Sequence, residues 1–500
     1  MVHKLKRIQD RFFTGDIKLW RLTLPRAVVV GLLGVVFLYV SSAGLVSVTT
    51  PWWLGSGDAP RHVDYALSIY HFDIPHFNDH LQYPVFNQLA QGSYRNQPAA
   101  VNPPLFYILH APIVGPMMDS GHWHEAIGAG RAFNVFLGVL CILVLAWAGW
   151  LIGGSRRGVL AVAVPAISVL FFNFIVLNQN YAVDVLLIIF TTLSFIISFK
   201  LLTNGVRRKY ILWLAVISLL GMSTKATYIV FLFTSLVALV AAYYLHGKSK
   251  AVVNIVRGGL VATAIFVAVL LTIGWYYYFQ NYRVSGNWVS AAPPDFGSAT
   301  RPYKSLHQVI TSSVLWQMFY ARFISNPILS TVMSTVAITG LAVYFDRNRL
   351  REVVRNRTLM IFIGLMLLAV LGIFATQIVM ATGYGGYYFR YFLPVILPFG
   401  LFLAFGLTQI KWLRGQLITL FCFTMLVTGV TSALAGSSML KQVPQLKKTG
   451  DTTARIYIAT EHNNIPGYIS TTLIAMAPVG LLALGVSMYK LTNDDIRFTK

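Results

Sequence analysis

Charged residues and cysteines are scarce in this chain of 500 residues, and each scarcity excludes a class of protein. Only 11% of the residues are charged, whereas a soluble domain carries about 25%, so an ordinary soluble domain is excluded. The two cysteines, Cys141 and Cys422, lie inside apolar runs, so neither a disulfide framework nor a cysteine-based zinc site is expected. Acidic residues number 16 against 39 lysines and arginines, which gives a net charge of +23.

Apolar residues are abundant instead and make up 56% of the chain. Many apolar runs reach the roughly 20 residues that cross a bilayer as a helix. These runs do not alternate in polarity as the strands of a membrane β-barrel do, so a barrel is excluded. The sequence therefore predicts an all-α polytopic membrane protein, surrounded by membrane lipids, with about 12 transmembrane helices.

The excess of positive charge has two interpretations. It could indicate nucleic acid binding, but the chain has no basic domain with interleaved aromatic residues, so no nucleic acid partner is expected. Most lysines and arginines instead fall in short segments on one side of the predicted helices, as the positive-inside rule requires. We therefore expect a plasma membrane protein with both termini in the cytoplasm.

The predicted helices divide the chain into three regions. Residues 1–26 form a basic cytoplasmic tail, and the apolar run at 27–50 is expected to be a retained first helix rather than a removed signal peptide. Residues 27–410 form the main transmembrane region, with outer loops at 51–127 and 280–326. Residues 411–500 add C-terminal helices with an outer loop at 437–470. The first outer loop is the largest polar piece, so we expect the chemistry there, among juxtamembrane helices.

Acidic residues near the start of the first outer loop are candidates for catalysis. Asp58 follows the first predicted helix closely, and a partly desolvated carboxylate at the membrane surface can act as a general base. Asp58 could equally be a helix N-cap, because Pro60 suits a first helical turn. Asp64 lies six residues further on, so it would not stack directly over Asp58 on one helix.

Seven of the eleven histidines lie in the same loop, and two of them could bind a metal ion. His76 and His80 have the i,i+4 spacing that places two ligands on one face of a helix. Pro75 argues against a continuous helix, and no firm third ligand is present. The alternative is a pair of surface residues near the lipid headgroups. No cofactor is required by the sequence, and a divalent metal ion stays an open alternative.

Ionisable and aromatic residues also lie at the outer ends of later predicted helices. Asp184 and Lys225 would be costly in lipid, and such groups usually face a cavity. Lys225 could hold a phosphate or extend to the outer surface. Arg390 follows a glycine-rich hairpin, and its guanidinium could contact a phosphate through two hydrogen bonds. Tyr387, within that hairpin, suits either an aromatic belt or a platform for a sugar.

Four motifs follow one another along the chain. They are Gly57-Asp58-Ala59-Pro60-Arg61-His62, Asn102-Pro103-Pro104-Leu105-Phe106-Tyr107, Asp184-Val185-Leu186-Leu187 with the stretch ending at Lys225, and Arg390-Tyr391-Phe392-Leu393-Pro394. In this order they resemble the GT-C superfamily of membrane glycosyltransferases, most closely the bacterial branch related to protein O-mannosyltransferases and the lipid A aminoarabinose transferase. One departure is Ala59, which stands where the family usually has a second acid.

The resemblance implies a GT-C-like helical bundle and a reaction. A sugar would move from a polyprenyl-phosphate donor to an acceptor hydroxyl outside the cytoplasm, with inversion. Asp58, alone or with Asp64, would deprotonate the acceptor, a cell-envelope glycan, lipid or protein. The donor phosphate would be bound by Arg390, Lys225 and Arg61. The acceptor or the sugar would be contacted by His62, Asn102, Tyr107, Asp184 and Tyr387.

Two other functions fit the same composition. A transporter or flippase for a lipid-linked glycan would place charged residues along a path at mid-membrane. The ionisable residues of this chain gather at one face instead, which favours the enzyme. A non-catalytic assembly protein would use the outer loops only for contacts, and it would show no sugar transfer with any donor.

Overall fold

The computed structural model describes residues 16–19, 22–50, 59–82, 97–169, 174–175, 181–286, 288, 305–311, 355–384, 389–407, 414–434 and 452–498. Three predicted site positions fall outside this description, wholly or in part. Asp58 and Tyr387 lie outside the described residues, and only the backbone of Arg390 is described. The described part is helical apart from a two-stranded antiparallel sheet, β1 Asp16–Leu19 and β2 Leu22–Pro25, in the predicted basic tail.

Helices account for nearly all of the remaining described structure. In chain order they are α1 Arg26–Thr49, α2 Ala59–Tyr70, α3 Leu105–Asp119, α4 Trp123–Ile152, α5 Arg157–Val169, α6 Asp184–Asn204, α7 Arg208–Met222, α8 Ile229–His246, α9 Ala251–Tyr276, α10 Leu306–Thr311, α11 Arg357–Tyr384, α12 Ile396–Leu407, α13 Arg414–Leu434, α14 Thr452–His462 and α15 Gly467–Phe498. Short 3-10 turns lie at Pro98–Val101, Gly154–Arg156, Ala226–Tyr228 and Phe389–Val395. A π-helical segment, Tyr277–Tyr282, and the turn Arg283–Ser285 prolong α9.

Seven of the described helical segments are long and apolar enough to cross a membrane. Five of them contain α1, α4, α6, α8 and α9, and the other two lie within α11 and α15. A shorter apolar helix, Tyr391–Leu407, contains α12. The prediction of an all-α polytopic membrane protein is therefore confirmed, whereas the total of about 12 spans stays a prediction.

Helical structure enters the ranges that the sequence predicts as outer loops. Helix α4 begins at Trp123, inside the predicted first loop, and Glu125 in its first turn suits the positive end of the helix dipole. The helical segment after α9 continues to Ser285, inside the predicted second loop. The last loop contains α14 and the start of α15. Apolar content locates a membrane crossing, but helical hydrogen bonding continues into polar residues beyond it.

Close backbone contact between α1 and α15 builds one side of the bundle. A Cβ atom on Gly34 would lie 2.7 Å from the carbonyl oxygen of Gly480, and one on Gly480 would lie 2.8 Å from that of Gly34. Only glycine permits this approach, which is a common way for membrane helices to pack. Ser487 adds a hydrogen bond of 2.5 Å from its hydroxyl to the carbonyl oxygen of Ala27.

The described residues of the first predicted loop pack onto one end of the bundle. We call this the loop end, where α1 and α7 finish and α4, α6 and α8 begin. There α2 packs against α3, and the turn Pro98–Val101 contacts the end of α9. The described residues of the first predicted loop therefore form a folded layer that includes two helices, α2 and α3, as expected.

Candidate functional site

Helix α2 carries two of the predicted site residues into the interior. It begins at Ala59, directly after Asp58, and Pro60 suits its first turn because a proline there sacrifices no helical hydrogen bond. Asp64 is only 1% exposed, and its Oδ2 accepts a hydrogen bond of 3.0 Å from Nε2 of Gln97. A buried carboxylate requires such donors, so Gln97 helps to keep Asp64 in place.

His62 faces the start of α3 rather than solvent. Its Nδ1 lies 2.7 Å from the phenol oxygen of Tyr107, and the two rings stack with centroids 5.8 Å apart. Nδ2 of Asn102 lies 3.5 Å from the same phenol oxygen. Because Pro103 and Pro104 stiffen the chain between Asn102 and α3, the three predicted sugar or acceptor contacts meet in one polar cluster.

Hydrogen bonds of two tyrosines, Tyr65 and Tyr276, connect this cluster to α9. The phenol oxygens of Tyr65 and Tyr276 are 2.8 Å apart. The phenol oxygen of Tyr276 also lies 2.7 Å from the carbonyl oxygens of both Ala100 and Asn102. Burial raises the pKa of Tyr65 far above its ordinary value, so its phenol stays neutral. These hydroxyls therefore hold the layer in place and do not act as bases.

A buried ion pair lies beside the polar cluster. Nζ of Lys225 is 2.6 Å from Oδ1 of Asp184, and the two side chains are 14% and 4% exposed. Asp184 is the first residue of α6, where the helix dipole favours a negative charge. Nζ of Lys225 also lies 4.8 Å from the centre of the Tyr391 ring, next in sequence to Arg390. The ion pair therefore lies near the start of the predicted arginine motif.

The polar cluster and the ion pair are joined by direct contacts. The backbone N–H of Leu105 donates to the carbonyl oxygen of Ser223, two residues before Lys225, over 3.2 Å. The ring of Phe106 meets that of Tyr181, three residues before Asp184, at 5.8 Å between centroids. The contacts above thus join His62, Asp64, Asn102, Tyr107, Asp184 and Lys225 in one connected region at the loop end.

The other predicted positions are less closely tied to this region. Arg61 lies on α2 and is partly buried. His76 and His80 lie in a non-helical stretch, in line with the argument from Pro75, so they lack the helical spacing considered for two metal ligands. Nδ1 of His76 instead lies 3.1 Å from Oε1 of Gln280, which ties the stretch to the end of α9. Among the described residues, no three histidine, cysteine, aspartate or glutamate side chains are grouped closely enough to hold a metal ion.

Two buried ionisable residues were missed by the sequence argument. Arg131 is 4% exposed within α4 and donates from Nη1 to the carbonyl oxygens of Ser47 and Thr50, at 3.0 and 2.7 Å. A lone arginine in a long apolar helix is a visible signal that could have identified it. His110 lies inside α3 and is fully buried. The apolar residues on both sides of it are a signal of burial that the sequence argument did not use.

Comparison with known proteins gives one structural likeness. No family model and no curated protein matches the chain. The structure is similar to that of ArnT from Cupriavidus metallidurans bound to undecaprenyl phosphate, at 12% sequence identity and a TM-score of 0.41. The match covers 93% of this chain and 77% of that one.

Proposed function

We propose that this chain is an integral membrane glycosyltransferase that takes a sugar from a polyprenyl-phosphate donor. The carboxylate of Asp58 accepts the proton of an acceptor hydroxyl, and the resulting oxygen attacks the anomeric carbon of the sugar. The bond from that carbon to the phosphate oxygen breaks as the new bond forms, so the configuration inverts. Its electron pair leaves with the polyprenyl phosphate.

The observation that carries this proposal is the connection of the polar cluster to the ion pair at the loop end. Donor and acceptor must be held together for transfer, and orientation alone can supply a large part of the rate. His62, Asn102 and Tyr107 are buried and contact one another, and their side chains are hydrogen-bonding groups of the kind that contact a sugar. The adjoining backbone contact at Ser223 places the turn that carries Lys225 beside them.

The charges suit the leaving phosphate. Lys225 has three N–H donors and gives one to Asp184, which orients the ammonium without using its other donors. A partly buried cation stabilises developing negative charge more strongly than an exposed one, because the surroundings screen it less. Arg390 would add a second cation on the turn Phe389–Val395, directly before Tyr391. Arg61 would complete the set from α2.

Asp64 would support Asp58 as a second acid. Asp64 lies within α2, six residues after Asp58 in sequence, and is held by Gln97 inside the layer. We propose that Asp64 takes the part of the second acid, which is missing at Ala59.

A lipid-linked glycan transporter is the second candidate, and one observation disfavours it. The fully buried charged side chains among the described residues belong to Asp64, Arg131 and Asp184. All three lie at the loop end rather than along the middle of the helices. A transport path for a charged headgroup would need polar partners at mid-membrane.

The test is transfer activity of the purified protein with a panel of polyprenyl-phosphate sugars and envelope extracts as acceptors. Asp58→Asn should lower the rate by about 100-fold or more, because a carboxamide cannot accept the proton. Asp73→Asn is the matched control, since Asp73 is an exposed acid of the same loop. Full transfer by Asp58→Asn would remove the base assignment. Movement of lipid-linked glycan across vesicles without any transfer would establish the transporter instead.

A further inference from the structure

Arg131 is a buried cation whose hydrogen bonds are only partly used. Nη1 contacts two carbonyl oxygens at the end of α1. Nε and Nη2 are buried and have no hydrogen-bond partner in the part of the chain that the structure describes. A guanidinium has five N–H donors in a fixed plane, so one side of this fork is occupied and the other is available.

The charge of Arg131 is also incompletely balanced. The carbonyl groups at the end of α1 offer about half a negative charge through the helix dipole. Among the described residues, no ion pair includes Arg131. Burial of an unpaired cation is strongly unfavourable, so a negatively charged partner is expected.

A cavity beside Arg131 provides room for such a partner. It has a volume of about 180 Å³ and lies between α1, α4 and the segment joining α14 to α15. His124 and Asn463 line it together with Arg131, and much of the rest of the wall is apolar, including Ile127 and Ile465. None of the residues assigned to sugar transfer lines this cavity.

Asn463 defines the second polar feature of the cavity. Its Nδ2 donates to the carbonyl oxygen of Val48 over 2.8 Å, whereas its Oδ1 is buried and has no partner among the described residues. The wall therefore offers cationic donors at Arg131 and one free acceptor at Asn463. A ligand that carries both an anionic phosphate and a hydroxyl satisfies both.

We propose that this cavity binds the phosphate of an anionic glycerophospholipid, with the guanidinium of Arg131 on the phosphate and Asn463 on a headgroup hydroxyl. The apolar remainder of the wall suits the adjoining glycerol and acyl carbons. The volume fits a headgroup rather than a whole lipid, so the chains extend into the bilayer. Free phosphate shares the anion but lacks the hydroxyl and the apolar part.

Gly128 allows a test that leaves Arg131 intact. It lines the cavity, and a Cβ atom added there would meet no other atom within 4 Å. Gly128→Leu should therefore fill the cavity without disturbing the helix packing. Gly259→Leu is the matched control, because a Cβ there is equally free and Gly259 lies on α9, away from the cavity.

The measurement is native mass spectrometry of the purified full chain with phosphatidylglycerol, phosphatidylcholine or inorganic phosphate. The wild type and Gly259→Leu should retain one phosphatidylglycerol, whereas Gly128→Leu and Arg131→Gln should bind it about tenfold more weakly or worse. If the wild type retained inorganic phosphate and Gly128→Leu did not, the anion site would be supported, with a free ion rather than a lipid as its occupant. Equal retention by wild type and Gly128→Leu, or equal binding of phosphatidylcholine, would overturn the proposal.

Discussion

Nζ of Lys225 lies 2.6 Å from Oδ1 of Asp184, which joins the turn after α7 to the first residue of α6. The two residues are 41 positions apart in sequence, and both side chains are largely buried. A pair in this setting fixes the relative position of its two elements. Removal of either partner leaves a charge with poor access to water.

We expect Asp184→Ala to destabilise the protein by about 3 kcal/mol, because it leaves the ammonium of Lys225 unpaired. Lys225→Met should cost a similar amount, and the double variant should cost less than the sum of the two. Unfolding of the purified protein in mild detergent measures all three. Asp119→Asn is the control: its partner His71 is exposed, so its loss should cost at most about 1 kcal/mol. Strict additivity of the two single changes would contradict the coupling.

The contact between Gly34 and Gly480 gives a second prediction. A Cβ atom at Gly34 would lie 2.7 Å from both the carbonyl oxygen of Gly480 and the backbone nitrogen of Leu484. Backbone atoms cannot rotate away, so Gly34→Ala should push α1 from α15 and cost about 2 kcal/mol. Gly364→Ala on α11 has open space and should be neutral or stabilising by up to about 1 kcal/mol. Thermal unfolding compares the two, and equal midpoints would refute the packing.

Local features of the chain were predictable, whereas its long-range partners were not. The break at Ser223 and Lys225 separates α7 from α8, and Pro104 precedes α3, as the residue types indicate. The partner of Lys225 could not be predicted, since no pattern joins it to Asp184. Sequence showed that such a lysine needs either water or a counter-ion, and only the fold decides between them.

The same limit applies to the layer over the bundle. The sequence predicted juxtamembrane helices in the first outer loop, and α2 and α3 confirm them. It did not predict that Tyr65 would meet Tyr276, which lies 211 residues away. Tyrosines near a membrane surface usually form an aromatic belt, so no local sequence pattern predicts that these two would form a buried hydrogen bond.

Loss of the Tyr276 hydroxyl should loosen that layer. Tyr276→Phe removes the contacts to Tyr65 and to two carbonyl oxygens, which stay buried without this donor. The expected cost is about 1–3 kcal/mol, concentrated in the first outer loop. Amide hydrogen exchange should therefore speed up over 97–107 and not over α15. Tyr278→Phe is the control, because Tyr278 is an exposed tyrosine of the same segment. If amide exchange over 97–107 were the same in both variants, the Tyr276 hydroxyl would not be what holds this layer in place.

His110 gives a prediction about acid stability. Its Nδ1–H donates to the carbonyl oxygen of Phe106 over 2.8 Å, and the rings of Tyr181 and Phe133 lie 4.6 and 4.8 Å away. Burial lowers the pKa of His110 from 6.5 to about 4, because the enclosed ring cannot be solvated as a cation. Between these values the unfolded chain binds more protons than the folded protein.

Stability should therefore rise with pH across this window and be lost as pH falls from 6.5 towards 4. The full effect is about 3 kcal/mol, since each pKa unit corresponds to about 1.4 kcal/mol. The wild type should have a lower unfolding midpoint at pH 4.5 than at pH 7. In His110→Gln the two midpoints should lie closer together, because glutamine has no proton to gain. An unchanged pH slope in His110→Gln would mean that another group is responsible. A shallower slope would identify His110 as a main source of acid sensitivity in the layer that carries the proposed site.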